Sequence, residues 1–191
     1  MCTDNTNDRF NCMNRRHALK LCIVAGVTFA TSGIPKMTNA ASTSKSPANK
    51  PEYAKNQFLK SMNCSQAILE TYAPSLGLPV EQARRVAAAF AGGMGMGSEC
   101  GAVTGAFMVI GMKYGKTTES DSRADNETFK RVAQLTKEFK TRHKYITCSE
   151  LLNTDMSTPE GVKSAASKGY FTTICPGYVK TAAEILDLVL A

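Results

Sequence analysis

Gly92-Gly93-Met94-Gly95-Met96-Gly97-Ser98-Glu99-Cys100-Gly101-Ala102-Val103-Thr104-Gly105-Ala106 reads as a glycine-rich turn running straight into a helix, with a cysteine at the junction. The glycines give the turn unusual backbone freedom. In the helix, Gly101 and Gly105 lie four residues apart on one face, so a second helix or a flat cofactor can approach the backbone. Cys100 falls beside the helix N-terminus, where unpaired N–H groups and the helix dipole favour a thiolate. That is the form of cysteine that attacks a disulfide or binds metal. The same stretch also reads as a Gly/Ala-rich helix crossing with a buried, inert cysteine.

Helices extend on both sides of this turn. Glu52 to Tyr72 reads as one amphipathic helix, with Phe58, Met62, Ser65, Leu69 and Tyr72 on a stripe and Cys64 on its flank. Pro79 opens a second helix running to about Ala91. The third, about Ser98 to Tyr114, carries Met108, Ile110 and Met112 and is apolar enough to be the central one. Glu127 to His143 is a fourth, with Phe129, Val132, Leu135 and Phe139 facing inward. Cys148 opens a short apolar turn, Pro159 a short helix to about Lys168, and Cys175-Pro176 the last helix. No segment alternates like a strand. The fold class is all-α, an irregular bundle of five or six helices around a central Gly/Ala-rich helix.

The 191 residues carry a formal charge of +7. Residues 1–40 hold five Lys/Arg against two Asp/Glu, leaving 18 against 14 in the remainder. No basic run interleaved with aromatics is present, which argues against nucleic acid as a partner. No Ser/His/Asp arrangement, carboxylate pair or phosphate loop is legible, which argues against a hydrolase or kinase.

Asn14-Arg15-Arg16-His17-Ala18-Leu19-Lys20 resembles the twin-arginine signal of exported bacterial proteins. An apolar run from Leu21 to Ile34 follows, short of the ~20 residues a membrane span needs. Thr38-Asn39-Ala40 offers small residues for a signal peptidase, so cleavage is expected after Ala40. Residues 1–40 are therefore read as a signal segment, 41–51 as a small, polar linker and 52–191 as the folded domain. The expected location is periplasmic or otherwise extracytoplasmic, with no stable membrane span after cleavage. That export route is known for carrying folded proteins, often with a cofactor already inserted.

Cys2, Cys12 and Cys22 lie in the signal segment, which leaves Cys64, Cys100, Cys148 and Cys175. No CxxC or CxxCH occurs, so the sulfurs meet only if the fold brings them together. Three readings stay open. Four thiolates suit an iron–sulfur cluster. They also suit structural zinc, whose usual spacing has two close pairs. Two disulfides would suit an oxidising exterior. His143, the one histidine outside the signal segment, reads as a metal ligand, a neighbour of Cys148 or a helix-end cap.

With the glycine turn, Cys100-Gly101-Ala102-x-x-Gly105 and the later single cysteines in view, the chain resembles the redox-active proteins called the C_GCAxxG_C_C family, over about Tyr53 to Leu190. The Cys-Gly-Ala order swaps the first two letters of that label. The domain is also similar to the non-haem part of split-Soret cytochrome c, which holds a [2Fe–2S] cluster. Together with the twin-arginine-like start, the resemblance points to a small exported redox or electron-transfer protein. It implies a [2Fe–2S] cluster on Cys64, Cys100, Cys148 and Cys175, bordered by Gly97, Gly101 and Gly105. Backbone N–H groups from Gly97 to Gly101 would face the sulfides. A dithiol/disulfide protein and a zinc-held helical module remain the alternatives. The partner would be a redox protein that the sequence does not identify, and a homodimer is compatible with it.

Overall fold

The structure, a computed structural model, describes residues 47–191. The expected signal segment, its cleavage point, Cys2, Cys12, Cys22 and most of the linker lie outside the described residues. Within them the chain is all-α: helices α1 (Lys50–Ser61), α2 (Cys64–Tyr72), α3 (Val80–Ala87), α4 (Gly101–Tyr114), α5 (Ser122–His143), α6 (Cys148–Leu152), α7 (Pro159–Ser167), α8 (Tyr170–Thr173) and α9 (Cys175–Leu190). These outnumber the five or six expected, because the first helix is divided, the apolar turn at Cys148 closes into the one-turn helix α6, and the brief α8 carries no periodic signal of its own.

The division falls at Met62-Asn63. Met62 takes a left-handed conformation (φ 54°) and closes α1. Asn63 then caps α2, its side chain accepting from the Gln66 N–H at 3.0 Å and its amide donating to Ala88 O at 3.1 Å. The break moves Cys64 from a helix flank to the first position of a helix. At the other end, Asn49 caps α1 and Pro51 sits in its first turn, so the helix begins at Lys50, inside the expected linker.

α2 and α4 form the centre. From Ser65 to Tyr72, α2 is buried except at Gln66. Its polar groups are matched: Ser65 Oγ donates to Ala87 O at 2.8 Å, and Glu70 pairs with Arg84. The Tyr72 hydroxyl reaches Ala183 O and Asp187 Oδ1 on α9, both at 2.9 Å. Tyr72→Phe is expected to cost about 1–2 kcal/mol, read as a lower urea midpoint, because the buried Ala183 carbonyl loses its donor and Asp187 loses its partner. α4 buries Ala102, Val103, Ala106, Val109 and Ile110 against α2, α5 and α9. A Cβ on Gly105 would stand 2.9 Å from Ser65 O and 3.1 Å from Ile68 Cβ, so this glycine permits the α2–α4 approach.

One expected inward residue points out. Phe129 on α5 is 66% exposed, while Leu135 and Phe139 are fully buried. At about 100° per residue, Thr128 and Val132 share the line of Leu135 and Phe139, and Phe129 lies a quarter-turn off it. Arg131 holds this end of α5, donating to Val189 O at 2.7 Å.

Candidate functional site

Each of the four described cysteines stands at the start of a helix. Cys64 is the first residue of α2, Cys148 of α6 and Cys175 of α9, and Cys100 immediately precedes α4. Thr147 and Glu150 form a capping pair around Cys148, with Thr147 Oγ1 donating to Glu150 Oε2 at 2.6 Å. An isolated antiparallel bridge joins Glu99 to Thr147. Through it the Cys100 N–H donates to Ile146 O at 2.7 Å and the Cys148 N–H to Ser98 O at 2.6 Å. These reciprocal bonds bring two cysteines 48 positions apart to one place. Tyr178, one turn after Cys175, donates from its hydroxyl to Leu151 O at 2.9 Å and ties α9 to α6.

All four cysteines line one cavity of about 360 Å³. Cys100 and Cys148 are 6% and 8% exposed and form its floor; Met62, Gly95 and Val162 are exposed and form its mouth. The cavity lies between two apolar clusters, one built on α2, α4 and α9, the other on Cys148, Leu152, Met156 and Ala165. All four cysteines are free of disulfides. Among the described residues, no three His, Cys, Asp or Glu side chains are drawn closely enough together to hold a single metal ion. The four sulfurs are arranged round a space.

The glycine turn has a handedness that sequence does not display. Gly92, Gly93, Met94 and Gly95 take φ of 64°, 63°, 60° and 67°, a left-handed turn in which even Met94 adopts a conformation that L-residues disfavour. A Cβ on Gly93 would run into the backbone of Ser98. The turn aims the Gly92 N–H at the Cys64 sulfur, which also receives the N–H groups of Cys64 and Ser65. The glycines that line the cavity are Gly92 and Gly95. Gly97, Gly101 and Gly105, expected beside a cofactor, are crowded by protein: Gly97 by Ser149 Oγ, Gly101 by Cys64 Sγ and Phe90 O, Gly105 by α2. Gly101 thus acts on the site through the sulfur it accommodates.

The thiols differ in acidity. A hydrogen bond from the Cys100 thiol, aided by the three N–H groups, outweighs burial and draws Cys64 down to about 7. Cys100 moves up, through the same hydrogen bond and through burial. The backbone N–H groups gathered at Cys64 favour the charge there, where the helix-end argument placed it on Cys100. Burial pushes Cys148 and Cys175 up to about 12, with the Cys64 charge adding to both. His143 does not line the cavity. Its ring packs against Phe139 and Tyr178 at 4.8 and 4.9 Å between centroids, and burial lowers its pKa.

The order of acidities gives a direct expectation. In metal-free protein, iodoacetamide should modify Cys64 first, with a rate that is low below about pH 7 and rises through it as the thiolate forms. Cys148 and Cys175 should stay unmodified until far more alkaline pH, and peptide mapping after timed quenching would show the order.

Residues 62–189 match the family described as "Putative redox-active protein (C_GCAxxG_C_C)". Neither the curated proteins nor the solved structures contain a match to the chain.

Proposed function

The chain belongs to the C_GCAxxG_C_C family of redox-active proteins, and from that premise we propose that its four cysteines form one redox site, built for a [2Fe–2S] cluster. The observation that carries this reading is the convergence of Cys64, Cys100, Cys148 and Cys175 on a single cavity from four separate helices. A dithiol needs two sulfurs, and the fold assembles four. The donor set is all thiol, with no carboxylate or imidazole on the cavity wall, which suits iron and inorganic sulfide. Zinc needs four donors about 2.3 Å from one point. A two-iron centre asks each iron for only two, which fits sulfurs spread round a space.

Bound there, the cluster would supply one-electron chemistry. The chain's residues do the rest. The N–H groups of Gly92, Cys64 and Ser65 stabilise negative charge on the Cys64 sulfur and raise the ease of reduction. Cys100 and Cys148 at the floor are shielded from water, while the mouth at Met62, Gly95 and Val162 leaves a short way in for electrons. Reconstitution with iron and sulfide should shield all four cysteines from alkylation together. Protection of Cys64 and Cys100 alone would contradict the four-ligand reading.

A second reading rests on a specific contact. Cys64 and Cys100 interact directly, and Cys64 has the lowered pKa of an attacking thiolate, so the pair could cycle between dithiol and disulfide.

The arginine pair at Arg15 and Arg16 supports export to an extracytoplasmic compartment, with a redox protein as partner. Replacing both arginines by lysine is expected to hold the full-length protein in the cytoplasm, measured by cell fractionation. Undiminished export would show that the pair is not read as a signal.

A further inference from the structure

We propose that Tyr178 is the positioning residue of the site, its hydroxyl setting where Cys175 stands relative to Cys148. The proposal rests on the four-cysteine reading above and concerns the cysteine whose place no backbone contact fixes. Cys100 and Cys148 are joined by reciprocal backbone hydrogen bonds, and Cys64 lies against Gly101 in the close crossing of α2 and α4. Among the described residues, no backbone hydrogen bond joins the first turn of α9 to the segments that carry the other three cysteines. Tyr178 supplies that tie. It follows Cys175 at the same step at which Leu151 follows Cys148, and its hydroxyl donates to Leu151 O at 2.9 Å. That carbonyl lies in the last turn of α6, where a helix leaves its carbonyls without an intrahelical donor. The bond therefore joins two helices at matching distances from the cysteines that open them. Otherwise α6 and α9 meet through apolar packing, with Cys175 and the Tyr178 ring set on the cluster built from Cys148, Leu152, Met156 and Ala165. Apolar packing has no direction, and the hydroxyl provides one. The ring behind it is held in turn. His143 meets it edge to face at 4.9 Å between centroids, and the fully buried Phe139 stands 6.3 Å away. The Nε2 of His143 is buried without a hydrogen-bond partner, so the imidazole serves here as ring surface. The ion pairs Lys180–Glu52 and Arg142–Glu184 tie α9 to α1 and α5, and neither reaches α6.

The test compares Tyr178→Phe with Tyr72→Phe in the full chain, purified anaerobically and reconstituted with iron and sulfide. Each variant keeps its ring and loses one hydroxyl that bonds a backbone carbonyl, Leu151 O for Tyr178 and Ala183 O for Tyr72. Both should lower the urea midpoint. Only Tyr178→Phe should loosen the site. It should release iron to a chelator about fivefold faster or more, the worth of one hydrogen bond, while Tyr72→Phe keeps the wild-type rate. In the metal-free chains, timed iodoacetamide labelling at alkaline pH should reach Cys148 and Cys175 several-fold sooner in Tyr178→Phe. The Cys64 rate and its pH dependence should not change. Iron release at the wild-type rate, or labelling that is unchanged or quickened at all four cysteines alike, would overturn the proposal, since a merely structural loss opens the whole domain. The two arms also separate this proposal from the reading beneath it. A wild-type chain that takes up no iron ends the cluster reading, and the labelling arm then decides whether Tyr178 places Cys175. A wild-type chain that holds iron, beside a Tyr178→Phe chain that holds it as firmly, keeps the cluster reading and removes the role of Tyr178.

Discussion

Gly101→Ala should remove most of the iron from this protein while leaving its helices largely formed. Judged by helix preference alone, the change ought to help, since alanine favours a helix interior by about 1 kcal/mol over glycine. Gly101 opens α4 without a left-handed backbone, so no conformational strain opposes the substitution. The obstacle is steric. The added methyl would run into Cys64 Sγ and would stand 2.9 Å from Phe90 O and 3.1 Å from Ser65 N. Backbone cannot yield there without separating α2 from α4, so the sulfur has to move. Overpacking of this kind costs about 1–3 kcal/mol of stability. The larger consequence is loss of one ligand's position. Gly111→Ala is the control: it lies in the same helix with nothing within 4 Å of the added carbon, and should be neutral or slightly stabilising. Iron content and far-ultraviolet circular dichroism, measured on both variants, decide the matter. Full iron in Gly101→Ala would contradict the placement of Cys64 as a ligand.

Cys175→Ser should be as damaging to the site as Cys64→Ser, by about tenfold or more in retained iron, because a hydroxyl is a hard, weak ligand for iron beside a thiolate. Stability should fall as well, since the free energy of cluster binding is partly free energy of folding. Cys148→Ser should behave alike. The prediction separates the two readings of the site. A dithiol made of Cys64 and Cys100 would lose its cycle in either of those variants, and would keep it in Cys148→Ser and Cys175→Ser. The substitutions are nearly isosteric, so a loss confined to Cys64 and Cys100 would point to the dithiol.

The helical character of the domain is plain in its residues. Apolar spacing marks α4, α5 and α9, and Pro79 and Pro159 stand at or beside helix starts. The division between α1 and α2 was also legible locally, in Asn63 and Gln66 at capping distance. The unbroken stripe from Phe58 to Tyr72 hid it, because a helix interrupted by two residues can keep its apolar residues on one side. Phe129 was misplaced for the opposite reason: an aromatic residue near the right period attracts an inward assignment, while its neighbour Thr128 holds the buried line.

At the site, residue types were readable and their relations were not. The cysteines are separated by 36, 48 and 27 positions, and no local rule joins them. What joins Cys100 to Cys148 is a two-residue backbone bridge, too short for any alternation pattern to announce. The glycines before Cys100 signalled a special turn. Its left-handed sense, and the aim of the Gly92 N–H at the Cys64 sulfur far earlier in the chain, come from tertiary packing. The acidity of Cys64 follows from that packing, so an argument from helix ends alone favoured Cys100.

The central claim is that four cysteines hold one iron–sulfur centre, and its most direct test is iron, acid-labile sulfide and zinc analysis of the wild-type protein, purified anaerobically after growth with ample iron. The account predicts about two iron and two sulfide per chain, visible colour, and loss of both in Cys175→Ser. A colourless wild-type protein without iron or sulfide, whether it carries zinc or a Cys64–Cys100 disulfide, would contradict it.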